Sequence, residues 1–293
     1  MVSSILEQLI NGLRTGSIYA LIALGYTMVY GIAKMINFAH GDIIMVGAYT
    51  LFVGSITLGL NPVLAVILTI IVCAALGIVT EKVAYKPLRN AQPLAVLITA
   101  IGVSYLLQNL SLLIFKATPI PFGSIIKFPS VSIGGINISG VTIVTFIVTI
   151  ISMVALTLFI NNTKQGRAMR AVSEDKGAAE LMGINVNRTI SQTFAIGSAL
   201  AAVAGILYIA QYESLQPTLG ALPGIKAFVA AVLGGIGSIP GAMLGGLVLG
   251  IIESLSKAYI STQLADAIVF GVMVIVLLVK PSGLLGKMQI EKV

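Results

Sequence analysis

The chain has 293 residues, of which 57% are hydrophobic and only 9% are charged, where a soluble domain carries roughly a quarter. So few charges cannot cover a soluble fold; a cytosolic enzyme, a disordered chain and a secreted disulfide scaffold are excluded, and an integral membrane protein built of helices remains. The net charge of +7 lies in short loops, where it reports orientation across a bilayer rather than nucleic-acid binding.

Charge-free stretches locate the elements in chain order. Residues 4–13 predict a short amphipathic helix leading into a first span at 15–33. Residues 43–80 carry no charge, are too long for one span, and are split by Asn61-Pro62 into 43–60 and 63–80. Cys73 lies in this run and reads as a small core residue. Further segments are expected at 94–115, 141–160, 189–212, 227–256 and 264–280. The fold class is therefore an all-α, polytopic helical bundle of about eight hydrophobic segments, forming a single transmembrane domain over 1–293.

One segment is interrupted. GGIGSIPG at 234–241 places Gly234, Gly235, Gly237 and Gly241 with Pro240 inside an apolar run, predicting a break in mid-membrane between two short half-helices. Ser238 is placed to cap the second half, with Pro240 in its first turn. The loop 116–140, with three prolines and Gly134-Gly135 between β-branched residues, reads as a hairpin-like external loop.

Basic residues set the orientation. Loops 81–93 and 161–188 and the C-terminal tail carry 11 of the 17 Lys and Arg residues. Placing them in the cytoplasm requires an external N-terminus and a 227–256 segment that returns to the side it entered.

Three stretches carry candidate function. The loop 161–188 holds 8 of the 27 charged residues. Ser173 reads there as an N-cap, Glu174 and Asp175 as first-turn acids, and Gly183 as the stop of a helix of about nine residues. Asn37, His40, Gly41 and Asp42 form a turn between spans, with Asp42 placed to cap a helix beginning near Ile43. A helix start there, or at the 234–241 break, suits a translocation path, since half-helix ends within a membrane can face a substrate carboxylate. A lone His with one Asp is not a metal site. Glu253 would be costly if buried and is placed to pair with Lys257 four residues on. The chain has no phosphate-binding loop of the G-x-x-x-x-G-K-[ST] type, so it reads as a non-enzyme without a cofactor, and any ATP coupling belongs to another chain. Residues alone leave two readings open: an ATP-driven importer subunit, or a channel or secondary carrier working alone on small polar solutes such as urea or amino acids.

The run Ala178-Ala179-Glu180-Leu181-Met182-Gly183 resembles part of the loop by which ABC-importer permeases dock on their ATPase. Gly177 stands where that motif has Glu. Residues 11–49, 166–188 and 226–253 resemble, more specifically, the high-affinity branched-chain amino-acid permease family of bacterial and archaeal ABC importers. The resemblance covers nearly the whole chain and is weakest over 116–140. It implies a type II-like importer permease of the cell inner membrane, partnered by cytoplasmic ATPases, a second permease (a different sister chain) and an extracytoplasmic substrate-binding protein. It also implies that Arg167, Arg170, Glu174, Asp175, Ala178, Ala179, Glu180 and Gly183 form the ATPase-coupling surface.

Overall fold

The structure is a computed structural model that describes residues 2–89, 91–133 and 135–286. Helix α1 (Val2–Ala33) is one continuous 32-residue element. The separate helix expected at 4–13 does not exist, because Gly12 keeps its helical conformation while packing backbone-close on a later helix. Helix α2 (His40–Phe52) runs on through a wider turn at Val53–Thr57. Asn61 caps α3 (Pro62–Thr80) by accepting from the Leu64 amide, with Pro62 in the first turn. The split at Asn61-Pro62 therefore stands where the sequence places it. The helical path continues to Leu88.

Helix α4 (Pro93–Phe115) leads to a region with strands β1 (Ile120–Pro121), β2 (Val131–Ile133) and β3 (Ile136–Ile138). β2 and β3 form the expected hairpin. An unforeseen pair joins β1 to β4 (Ser214–Leu215), tying this loop to the far end of α8. Helix α5 (Gly140–Asn162) is followed by surface helices α6 (Lys164–Glu174) and α7 (Lys176–Leu181), then α8 (Val186–Tyr212), α9 (Ala221–Gly234), α10 (Ile239–Tyr259) and α11 (Ala265–Val279).

Among the described residues six helices are long and apolar enough to cross a membrane, while α9 and α11 are shorter. They form an inner and an outer set. The best apolar window of α1 is 89% buried, against 28% in α3 and 17% in α4 and α5. Outer helices that keep apolar faces bare are stable only where lipid or another apolar surface meets them.

Small residues set the inner packing. Helices α1 and α10 cross antiparallel along Gly12, Gly16, Gly246 and Gly250: a Cβ on Gly16 would lie 2.8 Å from the Gly246 carbonyl oxygen. Further out, Ser254 Oγ donates to the Gln8 carbonyl at 2.8 Å. A charge cluster around the buried Glu253 and Lys226 ties the same region together. Lys257 and Lys226 donate to Glu253 Oε1 at 2.6 and 2.8 Å, and Tyr19 donates to Oε2 at 2.8 Å. Lys226 also meets Asp266 at 2.6 Å. The Glu253–Lys257 pair expected from spacing is thus present, inside a larger network joining α1, α9, α10 and α11. Cys73 is buried in the core.

Candidate functional site

The segment 161–188 folds as two helices rather than one. Thr163 caps α6, its hydroxyl accepting from the Gly166 amide at 2.9 Å. Asp175 then adopts an extended backbone (φ −152°, ψ 116°) and caps α7, accepting from the Ala178 amide at 2.9 Å. Ser173, expected to be the cap, lies inside α6 and donates to the Arg170 carbonyl at 2.7 Å. The extra helix arises because Met169 and Val172 bury fully one turn apart, pinning α6 to the bundle before the chain reaches the acids.

Gly183 ends α7 at φ +82°, a conformation that costs a side-chain-bearing residue roughly 1–2 kcal/mol. Between the two helices lies an open groove of about 470 Å³. Ala168, Ala171, Ala178, Ala179 and Ile184 line its apolar walls, with Lys164, Arg167 and Asp175 among the lining residues. Leu181 is 90% exposed and Met182 82% exposed. Glu174 and Glu180 are exposed beside them, while Arg170 is held by Asn161 at 2.9 Å. Of the expected coupling residues, Arg167, Asp175, Ala178 and Ala179 line this groove.

That surface connects to the central helix through a contact the sequence reading missed. Lys176 Nζ donates to the Ala33 carbonyl at 3.2 Å. An ammonium suits the C-terminal, partially negative end of a helix. Immediately after Ala33, Lys34 turns the chain left-handed (φ 60°).

Asn37, His40, Gly41 and Asp42 are all buried. Helix α2 starts at His40 with Ala39 as its cap, so Asp42 is not a cap but a first-turn acid. Its carboxylate accepts from Gln108 Nε2 of α4 at 2.9 Å. Asn37 Oδ1 accepts from Tyr85 Oη at 2.8 Å. A Cβ on Gly25 would meet the His40 ring, which sets the start of α2 level with Gly25, about 12 Å along α1 from Ala33. The chain thus leaves α1, doubles back to mid-bundle, and only there begins α2.

Helix α9 does the same from the opposite end. Gly220 and Gly224 abut Gly41 so closely that a Cβ on Gly220 would lie 1.8 Å from the Gly41 carbonyl oxygen. Two helices therefore begin mid-bundle with their N-termini together. Their partial positive charges are offset by the buried Asp42 in the first turn of α2. The Gly220-x-x-x-Gly224 spacing was the available signal for this junction.

The break at 234–241 is elsewhere. It falls between α9 and α10 at the end of the bundle where α1 finishes, since Gly237 approaches Gly31, and not in mid-membrane. Nor are its flanks two short halves: α9 has 14 residues and α10 has 21, a full span. Ser238 does cap α10, accepting from the Gly241 amide at 3.2 Å, with Pro240 in the first turn. The released α9 carbonyls of Leu233 and Gly234 accept from the Leu284 and Leu285 amides of the tail. The candidate path residues hence form two separate groups, Asn37–Asp42 at mid-bundle and Gly234–Pro240 at one end.

A central glycine-packed helix, two helices that start within the bundle and a pair of capped surface helices make up the polytopic bundle of a transport permease. The chain belongs to the family described as "Branched-chain amino acid transport system / permease component", whose model matches residues 8–277. It is 50% identical to the high-affinity branched-chain amino acid transport system permease protein BraD of Pseudomonas aeruginosa, over 98% of both chains. It is 47% identical to the permease protein LivH of the corresponding Escherichia coli system, over 98% of this chain and 97% of that one. In fold it is similar to a chain of PsaBC from Streptococcus pneumoniae, solved with a Fab, with a TM-score of 0.51, 17% identity, and 96% and 97% of the two chains covered. It is a multi-pass protein of the cell membrane.

Proposed function

We propose that this chain is a permease subunit of an ATP-driven importer that carries branched-chain amino acids into the cell. The observation that carries this reading is the α6–α7 groove with Leu181 and Met182 bare beside it. Large apolar side chains on an otherwise polar surface mark a place for a protein partner, and a chain without a phosphate-binding loop needs its nucleotide motor from outside. The cytoplasmic ATPases dock there. The basic loops share that side by the positive-inside bias, which leaves the 116–140 loop outside, facing an extracytoplasmic binding protein. A sister permease completes the pair.

Mechanistically, motion of α7 reaches α1 through Lys176. From there it passes along 34–39 to the junction of Gly41 with Gly220 and Gly224. Parting that junction opens the middle of the bundle, with Asn37, His40 and Asp42 on one side. An amino acid with a zwitterionic backbone and an apolar side chain needs few polar groups and an otherwise greasy wall, as this bundle provides.

Replacing both exposed residues, Leu181→Asp with Met182→Ser, tests the reading without touching the core. The ATPase chains are expected to stop copurifying, and uptake to fall at least tenfold, while the permease itself remains monodisperse in detergent. Retained copurification and uptake would rule the groove out as the docking site.

A further inference from the structure

A second pocket, of about 290 Å³, opens beside Lys34, Met35, Ile36, Arg89, Pro93, Val96 and Leu97. Its composition is two-sided. One side is cationic and comes from Lys34 and Arg89. The other is apolar and continues onto the bare face of α4, where Leu94 and Ile98 are 64% and 60% exposed.

The charge there is not balanced. Glu81, the acid that meets Arg89, is itself fully buried and also accepts from Ser191 Oγ. Lys34 is exposed and makes no ion pair among the described residues. Lys176 adds a third cation nearby: burial first, then the charges of Arg89 and Lys34, lower its ammonium's hold on the proton. Arg89 donates to Glu81 and to Asn187 Oδ1, and its Nε is buried without a hydrogen-bond partner among the described residues. The start of α4 adds partial positive charge, because its cap, Gln92, makes no side-chain bond and no acid stands in its first turn.

Of these three cations only Arg89 meets a carboxylate among the described residues, which leaves net positive charge for an anion. A cationic rim joined to an apolar wall fits a molecule with a phosphate at one end and hydrocarbon at the other. We propose that this pocket binds the headgroup of an anionic phospholipid of the inner leaflet, with the acyl chains lying along α4. The phosphate sits between Lys34 and Arg89, and the Leu94–Ile98 face takes the chains.

The test uses the full-length chain purified in neutral detergent, with retained lipid counted by native mass spectrometry and melting followed in parallel. Phosphatidylglycerol is expected to be retained and to raise the melting temperature, and phosphatidylcholine to do neither. Lys34→Gln alters an exposed residue outside the core and is expected to cut retention about fivefold, the weight of one basic side chain near an anionic surface. Lys34→Arg should restore it. Ala91→Trp, at the exposed pocket rim, is expected to block retention by filling the space. Equal retention of the two lipids, or retention unchanged in both the Gln and Trp variants, would overturn the proposal. So would inorganic phosphate giving the same stabilisation as phosphatidylglycerol, since a soluble anion would then suffice. None of these readouts depends on transport, so they stand or fall apart from ATPase docking.

Discussion

At the scale of single residues, Glu253 illustrates how a membrane protein retains buried charge. Its carboxylate takes two ammoniums and one phenol, so no partner is left bare. Removing one member of such a set is costlier than the set is favourable, because the remaining charges lose their compensation. Glu253→Ala is expected to destabilise the chain by about 3–5 kcal/mol, read as a marked drop in the detergent melting temperature. Glu253→Gln keeps the shape and should fall between Ala and the native chain. A different mechanism governs Gly220, where any side chain meets the backbone of residue 41. Gly220→Ala should prevent folding or force α9 away from α2, detectable as loss of monodisperse protein or as enhanced proteolysis around 213–220.

Among the elements, the boundaries that were legible are those written in local chemistry. Asn61-Pro62, Ser238-Ile-Pro240 and the Gly183 stop each carry their own cap, break or left-handed turn, and all three stand where the residues place them. What misled was tertiary. Asp42 looked like a cap, yet α2 begins two residues earlier because the chain has already returned into the bundle. Ser173 was a plausible start, but the anchoring of Met169 and Val172 extends α6 past it. The interruption that matters at mid-bundle, before Ala221, left only the Gly220–Gly224 spacing as a trace. GGIGSIPG was conspicuous and marks an end turn. The cap of α7 offers a measured check: Asp175→Ala should cost about 1 kcal/mol, too little to unfold the bundle. It is enough to fray a six-residue helix, and ATPase association is expected to weaken severalfold while melting stays nearly constant.

For the molecule as a whole, orientation is the property on which the transport reading turns. Cys73, the native cysteine, is buried and unavailable to polar reagents, so single cysteines can report sidedness directly. Gln165→Cys should react with a membrane-impermeant maleimide only in inside-out vesicles, and Ser130→Cys only in right-side-out ones. The opposite pattern would detach α6 and α7 from any cytoplasmic motor. The division into a packed interior around α1 and a sparsely buried rim of α3, α4 and α5 follows from where the small residues are. Glycine and alanine let the inner helices touch, whereas the rim carries branched side chains that face outward.

The meeting of α2 and α9 has a last consequence. Main chain rests on main chain there, with no side chain between to bend or swing aside. A junction of that kind has no half-open posture, because a slight parting gives up the contact without admitting even a water-sized guest. Leakage of small ions through a resting importer should therefore arrive as rare discrete bursts rather than a steady trickle, and the barrier should be insensitive to solute size until both helices move as rigid bodies.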